Sequence, residues 1–142
     1  MNKRYEFYWS VSVPGLLALT FDQATKYFSP AYVLNQNVSF SLPFMPADAT
    51  LQTLLLAILL IGISLFARWH MRNRPHILMN VSYSVLLGAA LSNWLDRVMY
   101  SGVRDIWEIS GLGLHNNLAD WLIVLSVAVI IGVDALQQSR QK

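Results

Sequence analysis

The stretch Ala49-Thr50-Leu51-Gln52-Thr53-Leu54-Leu55-Leu56-Ala57-Ile58-Leu59-Leu60-Ile61-Gly62-Ile63-Ser64-Leu65-Phe66-Ala67-Arg68-Trp69 carries no charge before Arg68. Roughly 20 mostly apolar residues in a helix are long enough to cross the hydrocarbon core of a bilayer, so this stretch predicts a membrane span. Working outward, three more segments meet the same measure: about residues 7–27 ahead of it, and about 77–97 and 117–136 behind it. Pro14 lies inside the first, where packing within a membrane can absorb a kink. Composition agrees. The 142-residue chain is 55% hydrophobic and 13% charged, with a mean hydropathy of +0.42, whereas soluble domains carry about 25% charged residues. So few polar groups cannot coat a water-facing surface. The length predicts one domain, residues 1–142.

Residues 1–28 have the positive start of a signal peptide in Lys3 and Arg4. No small-x-small signal closes the apolar stretch. It ends instead in Asp22-Gln23-Ala24-Thr25-Lys26, which suits a retained helix. Seven of the ten basic residues (Lys3, Arg4, Arg68, Arg72, Arg74, Arg140, Lys142) fall on one side of the predicted spans, and Lys26, Arg97 and Arg104 on the other. The positive-inside rule then places both termini in the cytoplasm, and the longer connections at about 28–48 and 98–116 face outward.

Both outer connections carry strand signals. Residues 32–40 are rich in β-formers between Pro30 and Pro43 and predict a short strand or hairpin. Residues 103–109 partly alternate. They would place Val103, Asp105, Trp107 and Ile109 on one face of a strand, and Arg104 and Glu108 in water. Gly111 and Gly113 would then turn the chain back toward the membrane.

The eight acidic residues are unevenly placed. Glu6, Asp48 and Asp134 lie near helix ends, where solvation accounts for them. Asp22, Asp96, Asp105, Glu108 and Asp120 come from four segments yet map to one outer boundary. Asp120 opens the fourth span, and an acid at the edge of hydrocarbon is by default a functional candidate. A plainer reading is an N-terminal acid favoured by the helix dipole. Asp22 can pair with Lys26 one turn later, and Asp96-Arg97 reads as an ordinary interfacial charge pair. Two carboxyl groups sharing a site cannot both ionise easily, because like charges push one pKa upward. The ionised member can take a proton from water, and the protonated one can donate to a carbonyl oxygen and then to a leaving nitrogen. Asp105 and Asp120 are the best placed for such an aspartyl-protease pair.

Other chemistries find little support. The chain has no cysteine, and His70, His76 and His115 are scattered. There is no His-Glu-x-x-His metal motif, no Gly-x-Ser-x-Gly elbow and no phosphate loop. A net charge of +2 is too small and dispersed for a nucleic-acid partner.

Five blocks in order also resemble signal peptidase II: Asp22-Gln23-Ala24-Thr25-Lys26, Asn35-Gln36-Asn37-Val38-Ser39-Phe40, Gly88 to Arg97 with its Asn93-Trp94-Leu95-Asp96-Arg97 ending, Val103-Arg104-Asp105-Ile106, and Asn117-Leu118-Ala119-Asp120. They are similar to the family's Asp-x-x-Thr-Lys, Asn-x-Gly-Ala-Ala-Phe, Gly-Gly-Ala-x-Gly-Asn-x-x-Asp-Arg, Val-x-Asp-Phe and Asn-x-Ala-Asp. The resemblance implies an all-α polytopic membrane protein with four transmembrane helices and a small extracytoplasmic β-cradle. It implies Asp105 and Asp120 as the catalytic pair, with Asp22, Lys26, Asn35, Asn93, Arg97 and Asn117 supporting the site or holding substrate. The implied substrate is a prolipoprotein carrying a diacylglyceryl group on its lipobox cysteine, cut just before that cysteine in the bacterial inner membrane. Membrane lipids are the other partners, a monomer is expected, and neither a metal nor another cofactor is implied. Asn37, Ser39, Ala89 and Ser92 depart from the family's small or glycine residues. Physics adds one point: Ser84, Gly88 and Ser92 recur every four residues, a small-residue stripe that lets a neighbouring helix approach closely, and Asn93 beside it needs hydrogen-bond partners if buried. Two other classes stay open: an ion-coupled transport protein, although four helices without a repeat suit it poorly, and a relative that binds lipoprotein precursors without cutting them.

Overall fold

A computed structural model describes residues 3–36, 48–73, 76–109, 111 and 113–140, of which residues 3–10 and 73 are described in backbone only. Four helices, α1 (Lys3–Phe28), α2 (Ala49–Asn73), α3 (Ile77–Tyr100) and α4 (Leu118–Ser139), account for most of them. The predicted spans fall inside these bounds or within a residue of them. Among the described residues three helices are long and apolar enough to cross a membrane: Ala49–Arg72, Ile77–Tyr100 and Leu118–Ser139. Among the described residues the buried side chains include more polar or charged ones, fifteen, than apolar ones, ten. Leu54, Ile58, Ile61, Leu65 and Leu125 are all exposed. This inverts the soluble pattern, and lipid is the solvent that makes such an exterior favourable.

Helix α3 is the central element, packing against α1, α2 and α4. Its small-residue stripe does what its spacing predicts. A Cβ added to Gly88 would lie 2.1 Å from the Gly15 carbonyl oxygen, and one on Gly15 would lie 2.7 Å from that of Ser84. The α1 and α3 backbones therefore touch. Just after Pro14, the Gly15 N–H donates to Ser84 Oγ at 2.8 Å, and Ser84 Oγ donates to the Val11 carbonyl. The hydroxyl of α3 thus bridges the helical turn that Pro14 weakens, because proline has no N–H to donate. An apolar cluster of Ala67, Met71, Met79, Tyr83, Leu86 and Val133 joins α2, α3 and α4 at the end remote from the strands.

At the other end lie four three-residue strands: β1 (Val33–Asn35), β2 (Val103–Asp105), β3 (Trp107–Ile109) and β4 (Leu114–Asn116). β1 pairs antiparallel with β2, with Val33 opposite Asp105 and Asn35 opposite Val103. β3 pairs with β4 as a hairpin, with Trp107 opposite Asn116. Gly111 and Gly113 turn that hairpin at φ +88° and +61°, conformations open to glycine and costly for other residues. The signal in residues 32–40 yields β1, paired with β2; the hairpin alternative involves residues 37–47, which lie outside the described ones.

The predicted single strand at 103–109 is corrected in two ways. It breaks at Ile106, whose N–H donates to the Asn116 carbonyl at 3.0 Å, so β2 is buried while Trp107 and Glu108 of β3 are exposed. Arg104 does not face water. It is 6% exposed, because the helix beneath it offers a carboxylate.

Candidate active site

The strands and the ends of α1, α3 and α4 close over a cluster of buried polar side chains. Asn117, the residue before α4, has extended backbone and caps the helix, its Oδ1 accepting the Asp120 N–H at 3.1 Å. This is the expected behaviour of Asn at a helix start. Its Nδ2 donates to Asp105 Oδ1 at 2.7 Å. Asn35 of β1 donates to the other carboxylate oxygen, Oδ2, at 2.9 Å. Both oxygens of Asp105 are thereby fixed from opposite sides. Asp120, in the first turn of α4, accepts from Asn93 Nδ2 of α3 through its Oδ1 at 2.9 Å. Asp105 and Asp120 are 1% and 8% exposed and within electrostatic reach of each other and of Arg97.

Behind them lies a second layer of charge. Lys26 is fully buried as a side chain. Its ammonium contacts Asp22 Oδ2 at 2.6 Å, Asp96 Oδ2 at 3.0 Å and Asn93 Oδ1 at 2.9 Å. Three protons meet three acceptors, which satisfies an ammonium group completely. Asp22 is shared as well: its Oδ1 accepts the Ala119 N–H of α4 at 2.8 Å, and its Oδ2 accepts Ser92 Oγ of α3 at 2.6 Å. Asp96 accepts from Gln23, Lys26 and Arg104. Arg97 donates to Gln52 of α2 at 3.3 Å.

The predicted site residues Asp22, Lys26, Asn35, Asn93, Asn117, Asp105 and Asp120 thus form one connected network, with Arg97 at its α2 side. The i,i+4 pairing of Asp22 with Lys26 is present, and Asn93, half-buried, has partners on two other helices, Lys26 and Asp120. The reading of Asp96-Arg97 as an ordinary interfacial charge pair is overturned. Asp96 is fully buried and is met by Lys26 and Arg104. Glu108 stays exposed on β3, apart from the cluster. Sequence reasoning missed Gln23, Ser92 and Arg104 as network members. Ser92 was visible only as a small residue of a packing stripe, and strand alternation pointed Arg104 the wrong way.

From this cluster a cavity of about 230 Å³ runs between α2, α3 and α4. Leu56, Leu60, Leu86, Ala90 and Ile123 line it, and Asn93 and Arg97 form its polar end. An apolar slot within the membrane-spanning part therefore leads to the residue that holds Asp120.

An apolar-coated helical bundle closing over buried carboxylates, amides and cations defines a membrane protein with an enclosed polar site. The profile of the family Signal peptidase (SPase) II matches residues 11–136. The lipoprotein signal peptidase of Campylobacter jejuni subsp. doylei is 35% identical over 123 residues, covering 83% of this chain and 74% of that protein. The lipoprotein signal peptidase of Campylobacter jejuni subsp. jejuni is 32% identical over 135 residues, covering 92% and 81%. A solved structure described as a bacterial membrane enzyme, determined by the in meso method at 2.3 Å resolution, shares the fold with a TM-score of 0.73. It is 22% identical and covers 92% of this chain and 90% of its own. The chain belongs to the signal peptidase II family.

Proposed function

We propose that this protein is an intramembrane aspartyl endopeptidase that removes the signal peptide from diacylglyceryl-modified prolipoproteins, cutting before the lipidated cysteine. Family membership supports the protease class and the lipoprotein substrate. The observation that carries the aspartyl reading is the Asn117 side chain, which contacts the Asp105 carboxylate and the Asp120 backbone at once.

In this reading Asp105 and Asp120 share one proton, since two adjacent carboxylates resist double ionisation. A water between them gives its proton to the ionised carboxylate and attacks the scissile carbonyl carbon, while the protonated carboxyl donates to the carbonyl oxygen. The product is a tetrahedral diol. Its collapse breaks the C–N bond: the protonated carboxyl gives its proton to the leaving nitrogen, and a diol hydroxyl returns one to the ionised carboxylate, so the pair again holds one proton. Nothing becomes covalently attached to the enzyme. The amide donors on Asp105 and Asp120 hold both acids in place before substrate arrives, which saves reorganisation in the transition state.

The apolar cavity between α2, α3 and α4 suits entry of a signal helix from the bilayer, with the acyl chains left in lipid. α1 runs 26 residues against α3 and in this reading crosses the membrane as a fourth span. The distribution of basic residues then puts both termini in the cytoplasm and the site near the outer face.

The test is cleavage of a diacylglyceryl-modified precursor by purified Asp105→Asn and Asp120→Asn variants. Both should be folded and inert. Normal processing by either one would remove the aspartyl mechanism.

A further inference from the structure

We propose that Arg104 is a positioning residue which, through Asp96, sets the Asp105 carboxylate against Asp120 from the side away from substrate. The inference rests on Asp105 and Asp120 being the catalytic pair.

β2 is three residues long and pairs with an equally short β1. Isolated two-stranded ribbons are marginal even when longer, so the ladder alone cannot hold Asp105. Arg104, the residue before it, supplies the anchor. Its backbone N–H donates to Asp96 Oδ2 at 3.1 Å. Its Nε and Nη2 reach Asp96 Oδ1 at 3.3 and 2.8 Å. Nη2 also donates to Gln23 Oε1 of α1 at 2.7 Å, and the guanidinium carbon lies 4.4 Å from the centre of the Tyr100 ring. One side chain thus ties β2 to α1 and to the end of α3. Burial works against its charge, but the hydrogen bond and charge of Asp96 outweigh that and hold the guanidinium above its ordinary pKa.

Neighbouring residues of a strand project to opposite faces, so Arg104 acts on Asp105 through the backbone and does not reach the space over its carboxylate. Asp96 is the junction. On one side it holds Arg104 and hence Asp105. On the other it holds Lys26, whose ammonium continues to Asn93 and hence to Asp120. Charge matters as well as geometry. Lys26 pairs with both Asp22 and Asp96, and Arg104 pairs with Asp96. Without Arg104, a single ammonium would serve both carboxylates, and its contact with Asn93 would weaken.

The experiment measures kcat, KM and the thermal midpoint of the purified full chain with a diacylglyceryl-modified precursor. The variants are R104M, R104K and Q23M, with D105N as reference. A misplacement of about 1 Å in a catalytic group can lower rate about a hundredfold. R104M is expected to lose kcat on that scale with KM nearly unchanged. R104K should recover part of it, because lysine keeps the charge but not the forked contact. Q23M removes the α1 arm of Arg104 together with the Gln23 contacts to Asp96 and Ser92, and should lower kcat several-fold. R104M with wild-type kcat beside an inert D105N would overturn the positioning role and leave the aspartyl reading intact. An unchanged kcat with raised KM in R104M would overturn it too. D105N that cleaves normally would take down the aspartyl reading itself. Should R104M fail to fold, wild-type kcat in both R104K and Q23M overturns the proposal.

Discussion

Asn117 Nδ2 donates to Asp105 Oδ1 at 2.7 Å while the same amide's oxygen caps α4 at Asp120. A side chain with one end on the Asp105 carboxylate and the other on the Asp120 backbone ties helix geometry to the chemistry, and the two roles separate by mutation. Asn117→Ala should destabilise by about 1 kcal/mol through the lost cap and lower kcat about a hundredfold through the freed Asp105. Asn117→Ser keeps a capping oxygen but cannot donate to Asp105 at that distance. It should regain the thermal midpoint and not the cleavage rate.

Lys26 is buried among acids, so its loss should be felt in folding before chemistry. Removing one partner of a buried ion pair costs about 3–5 kcal/mol, because the other charge stays buried and uncompensated. Lys26→Met should therefore depress the thermal midpoint strongly. Adding Asp22→Asn should recover part of it, since Arg104 still serves Asp96. A midpoint equal to wild type in the single variant would contradict the buried network.

The α1–α3 contact predicts a contrast between glycines. Gly88→Ala drives a methyl into the Gly15 carbonyl, and overpacking of this kind costs about 1–3 kcal/mol. Gly62 has nothing within 4 Å of the same atom, so Gly62→Ala should be neutral or stabilise by up to about 1 kcal/mol through helix propensity. Unfolding in detergent, followed by circular dichroism, would compare them.

The cavity between α2, α3 and α4 predicts a binding effect without a stability effect. Leu60→Trp should fill part of it and raise KM for a lipidated precursor, leaving the thermal midpoint near wild type. An unchanged KM would show that substrate approaches by another route.

The spans were legible because lipid burial depends on local composition: a run such as Leu54 to Leu60 needs no partner to declare itself. The acids were legible for a related reason: Asp22 and Asp120 lie at the ends of apolar spans and Asp105 in the connection between two of them, which brings all three to one end of the bundle. Strand faces were less so. Alternation assigns a residue to one side or the other but not to water or protein, and the chain beneath β2 buried the side of Arg104 as well as that of Asp105. Asp96 was misread because its sequence neighbour, Arg97, looked like its partner. On a helix, adjacent residues point about 100° apart, and the cations that meet Asp96 come from α1 and β2.

By itself the sequence determined that the chain is a helical membrane protein and which acids lie at one boundary, because hydrophobicity and charge are properties of each residue alone. Only the tertiary structure decided which donor holds which carboxylate. Hydrogen bonds act over about 3 Å, and the groups are brought within that range by the close approach of Gly15 to Gly88 and the docking of β2, neither of which is local in the chain.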